Sequence, residues 1–184
     1  MKMPMDTAVA ERDTDCPETA GTDTAADLRG LLERLGAQTL ALDVGAAATP
    51  EEIAAHFRRL SPQSRRLRFS HQISDGAIDT AAEAASRARL VTMREGGVLR
   101  GLAELYQIDA ERAEFAVSLE DDHQGRGFGR WLFEAAMALA AGDGRRRILV
   151  ICLAENGAMR HLADRPGTVS EVDDGELTAW VTVA

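Results

Sequence analysis

The sequence predicts an α+β fold: a mixed, mostly antiparallel twisted sheet with helices on both faces. Three observations predict it. Two alternating runs, Ala88–Met93 and Val98–Tyr106, flank Glu95-Gly96-Gly97 and read as a hairpin. An alternating run from Ala113 passes through a glycine-rich loop into a helical pattern, and the apolar run Ile148–Leu153 follows. Val169–Val172 and Leu177–Val183 then close the chain as a second hairpin, with Asp174-Gly175 in its turn.

The elements follow in order. Residues 1 to 25 are rich in Asp, Glu, Thr and Ala and almost free of large apolar side chains. Such a segment buries too little surface to offset its ordering entropy, so it reads as a flexible acidic tail. Leu28, Leu31, Leu32 and Leu35 stand at helical spacing, which predicts a short helix over 26–35. Tail and helix make one region, 1–36, and the domain proper runs over 37–184. Gln38–Val44 alternates as a first strand. Thr49-Pro50-Glu51-Glu52 starts a helix with an N-cap, a proline in the first turn and a capping glutamate, and Ile53, Phe57 and Leu60 share its inner face. Ser61-Pro62 starts a second short helix through Phe69, and a third is expected from Ile78 to Ala85. Asn156 caps a helix after the apolar strand.

The stretch Ala113–Arg130 carries the chemistry. Phe115, Val117 and Leu119 fall on one face of the strand, Glu114, Ala116 and Ser118 on the other. Gln124-Gly-Arg-Gly-Phe-Gly129 follows an acidic bend, and the next helix has Phe128, Leu132, Ala135, Ala136 and Leu139 on one stripe. Strand, glycine loop and helix form a phosphate-binding arrangement, because the first turn of a helix has unpartnered N–H groups and a partial positive charge. The nucleoside-triphosphate pattern G-x-x-x-x-G-K-[ST] is absent, and the dinucleotide pattern G-x-G-x-x-G fails at Arg130 or Leu132. What fits is Q-x-x-G-x-G, on Gln124, Gly127 and Gly129.

That loop and the strand before it resemble the acetyl-CoA-binding motif of the GCN5-related N-acetyltransferase (GNAT) superfamily. Leu60–Phe69 and the Ala113–Val117 strand are similar to segments of its bacterial protein-lysine acetyltransferase group. The order of elements from Gln38 to Val183 follows the superfamily. The resemblance implies six to seven strands, with a splay between two parallel central strands. It also implies acetyl-CoA as co-substrate. Backbone groups of Val117, Ser118 and Leu119 would hold the pantetheine arm. Gln124, Gly125, Arg126, Gly127, Phe128, Gly129 and Arg130 would hold the pyrophosphate, and Asn156, with Met159, would border the arm on its other side. The reaction implied is direct attack of a primary amine, small molecule or protein lysine, on the thioester in a ternary complex. Glu114 is the candidate base, and an arginine-paired strand glutamate is an equal reading of it. Arg65, Arg66 and Arg68 wall the acceptor side or simply form a solvated helix face. The thiolate-protonating tyrosine that many members carry after Asn156 is absent; the only tyrosine is Tyr106. Water or His161 could take its place. An acyl-CoA-binding regulatory module without turnover is therefore the competing function. Glu120, Asp121 and Asp122 read as loop solvation.

Composition bounds the partners. A net charge of -9 argues against nucleic acid, whose phosphates need a basic surface. Two cysteines, Cys16 and Cys152, are too few for a disulfide framework. The four histidines have no metal-ligand spacing, so no metal is expected. No run is long and apolar enough for a membrane span, and the start has no apolar signal core, so cytoplasm is the expectation. Oligomeric state is left open, a homodimer being common in the superfamily.

Overall fold

A computed structural model describes residues 40–45 and 47–183. The expected acidic tail, the 26–35 helix, Cys16 and the start of the first strand lie outside the described residues. Seven strands form one sheet: β1 (Leu40–Val44), β2 (Arg89–Glu95), β3 (Val98–Gln107), β4 (Arg112–Leu119), β5 (Arg147–Leu153), β6 (Val169–Asp173) and β7 (Glu176–Thr182). Their order is β1-β2-β3-β4-β5-β7-β6. All neighbours are antiparallel except β4 and β5.

Among the described residues, five α-helices cover the two faces: α1 (Pro50–Arg59), α2 (Pro62–Phe69), α3 (Asp75–Ala85), α4 (Phe128–Gly142) and α5 (Gly157–Ala163). Helix α1 starts as its sequence dictates. The Thr49 hydroxyl accepts from the Glu52 amide, and the Glu52 carboxylate accepts from the Thr49 amide. Ser61 and Ser74 cap α2 and α3 through their hydroxyls alone, which accept from the Ser64 and Ala77 amides. Ile53 and Phe57 of α1 and Ile78, Ala82 and Ala85 of α3 pack on Leu90, Leu99 and Leu102 on one face of the sheet. Helix α4 packs on the other. It is buried more widely than one stripe, with Trp131, Phe133 and Met137 inside as well.

The feature that places the site is the β4–β5 pair. Its register runs Arg112↔Arg147, Ala113↔Ile148, Glu114↔Leu149 and Phe115↔Val150, and then stops. Both strands continue, β4 to Leu119 and β5 to Leu153, without pairing to each other. Phe115, the last paired residue, meets Phe133 of α4 edge-on at 5.0 Å between ring centroids. Such a contact is worth about 0.5–1.5 kcal/mol beyond the area it buries, and it pins α4 where the strands part. Beyond the fork, Ile151 of the apolar strand β5 is 38% exposed.

Helix α4 approaches β3 closely at Gly101. A Cβ there would lie 2.9 Å from Leu119 Cδ1 and 3.0 Å from Leu132 Cδ1. Gly101→Val is expected to destabilise the fold by about 1–3 kcal/mol through overpacking, read as a lower urea midpoint at an unchanged slope.

Candidate acyl-carrier site

A cleft of about 450 Å³ opens where β4 and β5 part. Its walls include Glu114 to Leu119 of β4, Ile151 and Cys152 of β5, Leu67 and Arg68 of α2, and Met159 of α5. The glycine loop closes one end through Gln124, Gly125 and Gly129, and Asn156 stands on the β5 side.

The backbone of β4 decides what the cleft offers. The Glu120 amide donates to the Arg100 carbonyl at 3.0 Å. Antiparallel strands alternate, so Ser118 and Ala116 also spend their backbone groups on β3. Val117 and Leu119 then face the other way, towards β5, beyond the last paired residue. Gln124 Nε2 donates to the Leu119 carbonyl at 2.9 Å and to Ser64 Oγ at 3.1 Å. Gln124 thus ties loop, strand end and α2 together. The Val117 amide and carbonyl and the Leu119 amide face the splay. Ser118 differs from its two neighbours: its backbone groups face β3, and its hydroxyl meets His56, while the residue lines the cleft.

The loop presents amides. Gly125 and Gly127 have φ of +69° and +87°, the left-handed region that glycine adopts without strain. The first bond of α4 is Trp131 N–H to the Gly127 carbonyl. Among the described residues, no amide from Gly125 to Arg130 donates to a protein acceptor. A Cβ at Gly125, Gly127 or Gly129 would stand in open space. Six consecutive N–H groups at the start of a 15-residue helix suit a diphosphate. Phe128 contributes only its amide, since its side chain is fully buried. Arg126 stacks on the Phe128 ring at 5.2 Å, and Arg130 is 75% exposed, 3.9 Å from Glu134.

Glu114 lines the cleft, half-buried, opposite Tyr106 on β3. Among the described residues it makes no ion pair within 4.0 Å, so the arginine-paired reading finds no partner. Asn156 Oδ1 accepts from the Met159 amide at 3.1 Å and caps α5. His161 lies in a separate polar cleft with Arg160, Asp164 and Ser170, so it does not reach this one.

Two sequence readings are corrected here. Glu120 and Asp121 are not loop solvation. Asp121 accepts from the Ser61 amide (3.0 Å), the Ser61 hydroxyl (2.7 Å) and the Ser64 hydroxyl (2.8 Å), latching α2 to the end of β4. Glu120 accepts from Arg59 Nε (2.7 Å), Arg100 (2.8 Å) and His56 Nδ1 (3.3 Å). Burial alone would push its carboxyl up. The His56, Arg59 and Arg100 hydrogen bonds outweigh burial and hold it down at about 2. Nor is Arg68 a solvated side chain. It is 15% exposed and donates at 2.7 Å to Glu104, which is fully buried and also takes the Tyr106 hydroxyl at 2.5 Å. Arg66 does reach solvent, and it pairs with Glu155 across the cleft from α2 to the β5 end. What sequence reasoning missed is His56. It is fully buried, and its Nε2 lies 2.9 Å from Ser118 Oγ. The signal was there: His56 falls on the apolar face of α1 between Ile53 and Phe57.

The cleft therefore combines a sheet parted between two parallel central strands with a glycine loop whose amides have no protein acceptor. The chain belongs to the acetyltransferase (GNAT) family, whose profile matches residues 51–167, more than half of the sequence. It is similar to a Pseudomonas aeruginosa acetyltransferase, 30% identical over 129 residues that cover 65% of this chain and 69% of the relative. Among solved structures it resembles the GNAT domain of S. lividans PAT (TM-score 0.64, 19% identity, covering 77% of this chain and 89% of that one). It also resembles spermidine N-acetyltransferase from Vibrio cholerae in complex with CoA and spermine (TM-score 0.58, 20% identity, covering 79% and 96%).

Replacing Glu120 tests the network that borders the cleft. Glu120→Gln leaves Arg59 and Arg100 without their counter-charge and is expected to cost roughly 2 kcal/mol near neutral pH. The wild-type carboxylate contributes fully above its ordinary value of 4.5 and loses that contribution as pH falls through about 2. The stability gap between wild type and variant, measured by urea unfolding, should therefore narrow from pH 6 to pH 3.

Proposed function

We propose that the protein is an acetyl-CoA-dependent N-acetyltransferase that passes the acetyl group to a primary amine by direct attack. The observation that carries this reading is the end of β4–β5 pairing at Phe115 and Val150, beside six open amides. Both features border one cleft, so one molecule can reach both. A pantetheine arm along β4 would hydrogen-bond Val117 and Leu119, and its diphosphate would sit on Gly125 to Arg130. The thioester oxygen would take the Val117 amide, a fixed donor that needs no reorganisation as charge develops on that oxygen.

Glu114 supports an amine as acceptor. It is a cleft carboxylate without an ion-pair partner among the described residues, so it attracts an ammonium group and can take its proton. It lies three residues before Val117, roughly 10 Å along the strand at ~3.3 Å per residue, so the proton would cross through water. Small-molecule amines and protein lysines both meet these requirements.

One observation favours a second reading, an acyl-CoA-binding module without turnover. Among the described residues, α5 offers the cleft only Ala158, Met159 and Leu162, none of which can protonate a departing thiolate.

Calorimetry with acetyl-CoA and thiol release with a panel of amines separate these readings. Wild type should bind and turn over, and binding without release for any amine would favour the module. Gly127→Glu places a carboxylate and a strained φ among the amides, and should abolish CoA binding with the fold intact by circular dichroism. Glu114→Gln should lower kcat by about 100-fold while leaving the acetyl-CoA affinity within about twofold.

A further inference from the structure

Ser118, His56 and Glu120 stand in line. Ser118 Oγ is 2.9 Å from His56 Nε2, and His56 Nδ1 is 3.3 Å from Glu120 Oε1. The three come from α1 and the end of β4, and only Ser118 lines the cleft. Burial lowers the proton affinity of His56, and Glu120 opposes that only in part, so the ring is neutral at neutral pH. Glu120 is then an anion and accepts, so Nδ1 carries the ring proton. Nε2 is left with a lone pair, and the Ser118 hydroxyl must donate to it. The Ser118 oxygen thus keeps its own lone pairs free to accept, in a residue that lines the cleft.

We infer that Ser118, backed by His56 and Glu120, is a proton relay for acyl transfer, taking the proton from the attacking amine and returning it to the departing sulfur. This rests on the acetyltransferase reading above. The two roles are sequential: Glu114 takes the first proton of the incoming ammonium through water, and Ser118, which adjoins Val117 and the place the thioester would occupy, takes the second as the nitrogen attacks. The balance is simple. Nitrogen attacks the thioester carbon. Its proton passes to Ser118 Oγ as the Ser118 proton passes to His56 Nε2, beside the Glu120 carboxylate. Collapse breaks the C–S bond. The proton returns from His56 through Ser118 to the thiolate, which leaves as a thiol. No other co-reactant is needed, and the relay supplies the acid that α5 lacks.

The same geometry in a hydrolase would activate the serine as a nucleophile. Here the surroundings argue otherwise. Arg59 and Arg100 share the Glu120 charge, and Arg59 also disfavours an imidazolium, while Glu104 on β3 favours one. A histidine so placed is a weak base. It serves for passing a proton from a protonated amine adduct, not for generating an alkoxide.

The test has two arms. In the first, thiol release from acetyl-CoA is followed against pH with Nα-protected lysine and with spermidine, and acetyl-CoA binding is measured in parallel. Ser118→Ala and His56→Gln should lower kcat by about 100-fold with acetyl-CoA affinity unchanged, and Ser118→Thr, which keeps the hydroxyl, should restore most of it. Wild type should lose activity on acidification only below the ordinary histidine range, and His56→Gln should lose that limb. Wild-type kcat in Ser118→Ala, an unaltered limb in His56→Gln, or an acetyl adduct on Ser118 by mass spectrometry would each overturn the relay alone. Failure of the wild type to bind acetyl-CoA would overturn the acetyltransferase reading and the relay with it. The second arm needs no turnover: the imidazole ¹⁵N shifts of His56 should report a proton on Nδ1 and none on Nε2. A neutral ring protonated on Nε2 overturns the proposal.

Discussion

The structure depends on an interruption of pairing. Two parallel strands at the centre of a sheet ordinarily satisfy each other along their whole length, because buried backbone groups without partners are costly. Here β4 and β5 share four register pairs and then separate. The groups released at Val117 and Leu119 face a cleft, and a ligand with its own amides and carbonyls can complete them. A sheet parted in this way has a built-in preference for an extended, hydrogen-bonding arm over a compact ligand.

Much of the surrounding structure holds that gap open and in register. Phe115 on Phe133 fixes α4 at the fork, and Gln124 caps the free carbonyl of Leu119. Asp121 gathers Ser61 and Ser64, so α2 is tied to the same strand end that carries the loop. Glu120 gathers His56, Arg59 and Arg100 one residue earlier. Two adjacent acidic residues therefore clamp α1, α2 and β3 around the end of β4. Their side chains act as fasteners, and beside them β4 and the glycine loop present unpaired backbone groups to the cleft.

The sequence made the local features readable. Thr49 and Ser61 announce helix starts because caps act within three residues. The hairpin turns at Gly96-Gly97 and Asp174-Gly175 need positive φ, which the sequence marks with glycine; Asp174 itself adopts φ of 44°. The glycine loop before α4 was visible for the same reason, and the parted strands followed from the family resemblance. The polar network was not readable. His56 and Ser118 are 62 positions apart, and nothing local pairs them. Glu120 and Asp121 looked like solvent-facing acids because charge alone does not reveal which arginines and serines the fold will bring to them. By position Ser118 reads as a backbone-binding residue, and only the pairing parity of β4 shows that its backbone groups face β3 instead.

The central claim concerns particular amides, and backbone NMR tests them one by one. On titrating ¹⁵N-labelled protein with CoA, the largest shift changes should fall on Val117, Leu119 and Gly125 to Arg130, with Ser118 and the other β3-paired amides of β4 moving less. A titration in which CoA binds but those amides stay still, or in which the changes gather elsewhere on the sheet, would contradict the account.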